Sequence, residues 1–278
     1  MRRLALTIGF VLLAPLAWGH GQIDVLIADA TEALRTRPHD TKILWKRAEL
    51  YRAHEEWDAA MADFAQIRAL APDDAWLDLA EAEVHFGRGD TEAARAQVAR
   101  FLRAAPDSDR GYELLARIET ASGDPAAAAE AYRGAQGRHA SPPPSYYLYE
   151  ADAHEAAGDP REALAALDRG VERLGELPTL VFRAIDIARR SGRHDEALAR
   201  AALLPRAFSE SPAGLALTGD LYRDLNRVFE AAAYHTDALE RLYDTKHPDD
   251  WNDSDRALAA RLELQLSDSL TFTRKGSE

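Results

Sequence analysis

An alanine recurs along this chain at Ala60, Ala94, Ala128, Ala163, Ala197 and Ala231, with spacings of 34, 34, 35, 34 and 34 residues. No single helix or strand has so long a period. It marks stacked supersecondary units that cannot bury their apolar faces alone and must pack on their neighbours. Five residues ahead of each alanine stands Glu55, Gly89, Gly123, Gly158, Gly192 or Asn226. A helix that stops on a left-handed residue favours glycine or asparagine there, because those residues tolerate positive φ. The chain then folds back into a second helix, and alanine fits where the two helices cross closely.

Two further columns agree. Ala48, Ala82, Ala116, Ala151, Ile185 and Gly219 are mostly small, while Leu50, Val84, Ile118, Ala153, Ile187 and Leu221 are apolar. These columns, with Tyr51, Phe64 and Pro72 in the segment Thr41 to Asp74, resemble the tetratricopeptide-repeat family, whose unit is a 34-residue helical hairpin. Further units run Ala75 to Ser108, Asp109 to Pro142, Pro144 to Leu177, Pro178 to Ser211 and from Pro212 onward, with Pro143 as the extra residue behind the single 35-residue spacing. Tyr112, Tyr132, Tyr147 and Tyr222 recur as the pattern asks. Asp78, His85, Glu119, His154 and Ala188 stand where the family prefers a large apolar side chain, and the late proline is kept only at Pro72 and Pro106. The resemblance implies an all-α, right-handed superhelical solenoid of about six helix-turn-helix repeats over residues 41–245.

The remaining segments read as caps. Ile23, Leu26, Ile27, Ala30, Ala33 and Leu34 make an amphipathic helix within residues 20–40 that ends before Pro38. In residues 246–278, Leu258, Leu262 and Leu266 predict a closing helix over Asp255 to Leu266, with Ser254 as its N-cap. Residues 1–19 have the layout of a secretory leader: Met1-Arg2-Arg3, an apolar run from Leu4 to Trp18, and small residues at Ala17 and Gly19. That run contains Pro15 and is shorter than the roughly 20 residues a membrane span needs, so cleavage after Gly19 and a periplasmic or secreted chain are expected.

Acidic residues outnumber basic ones 47 to 34, a surplus that repels phosphate backbones and anionic lipid headgroups. Nucleic acid and stable membrane insertion are therefore not expected. With no cysteine, the chain has neither disulfides nor thiol chemistry. It carries no Gly-x-Ser-x-Gly elbow, no phosphate loop and no His-Glu-x-x-His zinc helix, so no catalytic residue is assigned, no cofactor is expected and a non-catalytic role is read.

The resemblance further implies a concave binding face built from the first helix of each repeat. Carried onto this chain, that face holds the apolar residues Trp45, Trp76, Leu79, Phe86, Tyr149 and Phe182. Its charged residues are Glu49, Glu83, Asp152, Asp186 and Asp220, with Arg52, Arg117, Arg189 and Arg223. Such a groove suits a protein or peptide partner, its aromatics supplying binding area and its charges steering. The charges also have a plain alternative, pairing with one another. A second function is weighed: cleavage after Gly19 leaves His20 with a free amine beside its imidazole, an arrangement that chelates copper if a second histidine such as His54 approaches. Asp249, Asp250, Asp253 and Asp255 lack the glycine and closing glutamate of a calcium loop and read as a polar loop before the last helix.

Overall fold

The computed structural model describes residues 17–275, and side chains from residue 21 to residue 267. Residues 1–16, which make up most of the expected leader 1–19, and the side chain of His20 lie outside the described residues. Among the described residues every regular element is helical. Helix α1 (Ala17–Thr36) is followed by hairpins α2–α3 (Thr41–Ala53, Trp57–Leu70), α4–α5 (Ala75–Gly87, Thr91–Ala104), α6–α7 (Asp109–Ser122, Pro125–Arg138) and α8–α9 (Pro144–Ala156, Pro160–Leu174). Next come α10 (Pro178–Arg190), α11 (His194–Ala201), the one-turn α12 (Arg206–Ser209), hairpin α13–α14 (Pro212–Asp224, Val228–Thr245) and α15 (Asp253–Lys275). The chain divides into two units, Met1–Ile118 and Glu119–Glu278.

Each hairpin turns in the same way. Glu55, Gly89, Gly123, Gly158, Gly192 and Asn226 all have positive φ, between 58° and 81°. The residue after each donates its N–H back to the carbonyl five positions earlier, Glu56 to Tyr51 (2.8 Å), Asp90 to His85 (2.9 Å), Asp124 to Glu119 (3.0 Å), Asp159 to His154 (2.8 Å), Arg193 to Ala188 (2.8 Å) and Arg227 to Tyr222 (2.9 Å). This is the Schellman closure, which satisfies a carbonyl the helix end would otherwise orphan. In the middle three hairpins Asp90, Asp124 and Asp159 then cap the second helix, each accepting from a backbone N–H two or three residues on. Prolines at Pro125, Pro144, Pro160, Pro178 and Pro212 open helices where a missing N–H costs nothing.

The recurring alanines lie at the crossings. Ala60, Ala94, Ala128, Ala163 and Ala197 are fully buried and Ala231 nearly so. In the last hairpin the small-residue column holds Gly219 because a Cβ there would lie 2.3 Å from the ring of His235. Apolar side chains fill the space between helices. Leu44, Phe64, Ile67, Leu77 and Val84 form one cluster in the first unit, and Tyr147, Leu164, Leu167, Leu180, Ile187 and Leu221 form another in the second.

Buried carboxylates add polar ties. Glu150 on α8 is fully buried and accepts from Arg133 of α7 (2.8 Å), Arg169 of α9 (2.6 Å) and Gln136 (2.7 Å). On α4, Asp78 and Glu81 take Arg68 of α3 and Arg100 and Gln97 of α5 in the same way. Arg47 of α2 grips Asp63 of α3 through two bonds (2.6 and 2.8 Å) and reaches Thr31 of α1 (3.1 Å), docking the first helix.

One repeat departs from its neighbours and one expectation is amended. The second helix of the fifth repeat stops at Ala201, because Pro205 lacks an N–H and its ring would meet the carbonyl four residues back. The closing helix begins at Asp253 and is capped by Asn252 rather than Ser254. Asn252 Oδ1 accepts from the Asp255 N–H (2.9 Å), and Asp255 returns the bond to the Asn252 N–H (3.2 Å).

Glu55 bears a side chain at φ 62°, where five of the six repeats place glycine or asparagine. Glu55→Gly is expected to raise stability by about 0.5–1 kcal/mol by relieving that strain. Gly158→Val is expected to lower it by about 1–2 kcal/mol. Urea unfolding of the two variants beside the parent measures both. Glu150→Ala, which removes a buried acceptor shared by Gln136, Arg133 and Arg169, is expected to cost about 2–3 kcal/mol in the same assay.

Candidate functional site

In the first unit, helices α2, α4 and α6 each contribute their outward face to one hollow. Trp45, Glu49, Trp76, Leu79, Glu83 and Arg110 line a cavity of about 130 Å³ there. Trp45 packs edge-on against Phe64 (centroids 5.5 Å apart) and is partly covered, whereas Trp76 leans on Phe101 (5.2 Å) and remains 49% exposed. Leu79 is buried and belongs as much to the core beneath as to the cavity floor. Phe86 lies under the Arg117 guanidinium, 5.1 Å from its ring centre, a cation–π contact that covers part of the ring.

The charges around this hollow are paired. Arg52 bonds Glu49 (2.6 Å) and approaches Glu83 (3.3 Å), and Glu83 also faces Arg110 at 3.3 Å. Burial opposes the Arg52 charge, but the bond it donates to Glu49 and the charges of Glu49 and Glu83 outweigh it and hold the guanidinium above its ordinary value. Arg110 was not among the candidates, although its place as the second residue of the third repeat would have found it.

In the second unit a larger cavity, about 420 Å³, opens between α7, α8 and the last turn of α6. Ala128, Ala153, Ala156 and Gly123 leave the space, and Tyr132 and Tyr149 wall it, their rings 5.5 Å apart. Tyr149 is 50% exposed and Asp152 stands at the edge. Ala128 and Ala153 belong to packing columns and Gly123 to the turn, so the void between them was not visible in the sequence.

Farther along, Phe182 is 37% exposed and meets Phe208 edge-on (4.9 Å). Asp152 and Asp186 share Arg183, at 2.6 and 2.8 Å, and Asp186 also takes Arg190 (3.0 Å). Arg183 was missed, although its spacing of three residues from Asp186 on one helix signals the pair. Arg189 bonds Asp224 (2.7 Å). A hollow between α7 and α9 is lined by Arg133, Arg169 and Arg173, but the first two hold Glu150 and the third donates to the carbonyls of Gln136 and His139.

Asp220 is buried rather than open on a groove. His235 of α14 (3.2 Å), Arg261 (2.5 Å) and Gln265 (3.2 Å) of α15 and the more distant Arg223 (3.4 Å) surround it. It ties the last helix to the final hairpin, where Leu262 is buried against Ala216 and Ala238. Asp255 is likewise held by Lys246 (2.7 Å), in keeping with a polar loop before α15.

His54 closes α2 and pairs with Glu56 at 2.9 Å, with Asp24 of α1 at 3.7 Å. The bond to Glu56, reinforced by the negative charge of Asp24, holds the imidazole above its ordinary 6.5.

Burial alone would raise the Asp220 carboxyl. Bonds from His235 and Arg261 and the charges of Arg261 and Arg223 more than offset it, lowering the group from 3.8 to about 2. A carboxyl depressed in the folded state stabilises it above the unfolded value and loses that contribution as pH falls toward the folded value. The α15 contact is therefore expected to loosen between about pH 4 and pH 2. Amide exchange of α15 against that of α14, followed through the window, reads this directly, and Asp220→Asn should abolish the dependence.

The family model described as Tetratricopeptide repeat matches residues 11–75, 79–143 and 148–212. Among solved structures the chain is similar to the C-terminal part of a TPR repeat-containing protein from Cytophaga hutchinsonii, 12% identical with a TM-score of 0.61, covering 86% of this chain and 95% of that one. It is also similar to a tetratricopeptide repeat protein from Parabacteroides merdae, 13% identical with a TM-score of 0.50, covering 88% and 94%. At such identities the likeness is one of fold. No curated protein matches the sequence. With the repeat pattern matched over more than half its length and six hairpins closed by the same turn, the chain belongs to the tetratricopeptide-repeat family.

Proposed function

We propose that this protein is an exported, non-catalytic scaffold that seats a segment of another protein, or a peptide, against the first helices of its repeats. Tetratricopeptide repeats are typically protein-interaction scaffolds, which supports the general role. The observation that carries the particular reading is Tyr149, half-exposed at the lip of an apolar cavity of about 420 Å³. A cavity of that size falls in the lower range of ligand pockets, and tyrosine and tryptophan are the side chains that concentrate binding energy at interfaces. Trp76, beside the smaller hollow of the first unit, offers a second anchor.

The charged column shapes what is recognised. Glu49, Glu83, Asp152 and Asp186 already have arginine partners, so a ligand that relied on them would have to displace those pairs. Recognition then falls on apolar side chains of the bound segment, with the ion pairs as a polar surround. Export rests on the leader-like residues 1–19. No helix among the described residues is long and apolar enough to cross a membrane.

Selection of a displayed random peptide library on the full mature chain is expected to enrich segments bearing bulky apolar residues. Tyr149→Ala should weaken peptides seated at the cavity of the second unit, and Trp76→Ala those seated at the hollow of the first, each by roughly tenfold or more, a loss of about 1.4 kcal/mol. Phe229→Ala, at an exposed residue away from both cavities, should leave binding unchanged. Selected peptides indifferent to both aromatic substitutions would refute the groove. Mass measurement of the exported protein is expected to give a chain beginning at His20, and an intact leader would remove export from the proposal.

A further inference from the structure

The first inter-helix turn departs from the following three in two ways. Its left-handed position holds Glu55 rather than glycine or asparagine. The next residue, which in the following three hairpins is an aspartate capping the second helix, is here Glu56, and its side chain makes no cap bond. Freed from that structural duty, the Glu56 carboxylate turns to His54 Nδ1, 2.9 Å away. Asp24, reaching over from α1, places Oδ1 3.7 Å from the same nitrogen. Among the described residues these three are the one group whose histidine, aspartate and glutamate ligand atoms all lie within 4.8 Å of one another.

We propose that Asp24, His54 and Glu56 form a binding site for a zinc-class divalent cation. Zinc binds imidazole nitrogen at about 2.0–2.1 Å and carboxylate oxygen at about 2.0–2.2 Å, so tetrahedral geometry sets neighbouring ligand atoms about 3.4 Å apart. The two separations at His54 Nδ1, 2.9 and 3.7 Å, lie on either side of that value. Small side-chain rotations, available because Asp24 and Glu56 are largely exposed, bring both oxygens to it. An imidazole ligand favours zinc, copper, nickel or cobalt over magnesium and calcium, which prefer all-oxygen shells. The two carboxylates neutralise the ion's charge, and three protein ligands leave a fourth position for water or for a group brought by a partner.

The site joins two elements. Asp24 lies on α1, while His54 and Glu56 flank the turn between α2 and α3. A bound ion would therefore pin the first helix to the first hairpin, in addition to the Arg47–Thr31 contact that already docks it. The site needs no free N-terminal amine and does not depend on the peptide-binding reading.

Titration calorimetry of the full mature chain with zinc chloride, after chelator treatment, is expected to show one ion per chain, undisturbed by millimolar magnesium. Loss of an outer-shell partner of a metal site costs about 10–100-fold in affinity, so removing a ligand should cost at least tenfold. That loss is expected for His54→Ala, Asp24→Asn and Glu56→Gln taken singly, with His247→Ala, beside Asp249, as the unaffected control. Asp24→Asn changes an exposed side chain and should preserve the circular dichroism spectrum, so its loss of binding is not a loss of fold. Saturating zinc should also raise the unfolding temperature of the parent but not of His54→Ala. The proposal is overturned if no zinc binds, if His54→Ala binds as the parent does, or if affinity disappears only with His20→Ala.

Discussion

The left-handed residue at each inter-helix turn is the constraint on which the rest of the molecule depends. It reverses the chain in a fixed geometry, and the N–H that follows it closes onto the carbonyl five positions back in all six hairpins. Once the reversal is fixed, the next residues start the second helix at a set rotation, and the alanine five positions later falls at the crossing. A larger side chain there would separate the helices, and overpacking a close contact costs about 1–3 kcal/mol. Turn and alanine are thus two parts of one device, and the regular 34-residue spacing follows from its repetition.

Between hairpins the register is set partly by buried charge. Glu150 and the Asp78–Glu81 pair each sit on a first helix and are gripped by arginines from the second helices on either side. Removing carboxylates from water is costly, and well-packed apolar residues often serve stability as well. What such a hub adds is position: its hydrogen bonds are satisfied only when three successive helices are in one alignment. The outer face shows the same habit in weaker form, where half-exposed pairs contribute little to stability. They also set the character of the proposed binding face, because with those charges paired what it offers a ligand is aromatic area beside small-residue hollows.

The first repeat shows what happens when the device is altered. Glutamate replaces glycine at the left-handed position, and a longer acid replaces the capping aspartate. The hairpin still closes through the same backbone bond, since that bond needs only the N–H. The Glu56 side chain, released from capping, pairs with His54, whose ring also faces Asp24 of the first helix. Strained backbone beside gathered ligand-type side chains is a combination that packing alone does not require.

The sequence by itself determined the hairpin and its repetition, because those depend on local properties: positive φ at a glycine, small volume at a crossing, and a helical period of apolar residues. The turn positions and the presence of a helix at either end of the repeats were legible for that reason. The family resemblance also named Trp45, Trp76 and Tyr149 as candidates, since a position within the repeat fixes which side of a helix a residue occupies. Tertiary structure alone decided which charges meet. Asp220 shares a column with Glu49 and Asp152, yet it is enclosed because α15 lies over it, and that contact spans 41 residues of sequence. The cavity beside Tyr149 and the meeting of Asp24 with His54 were equally out of reach of pattern reading. A void is defined by the absence of side chains from several helices at once, and a three-residue cluster by the angle at which one helix lies across another.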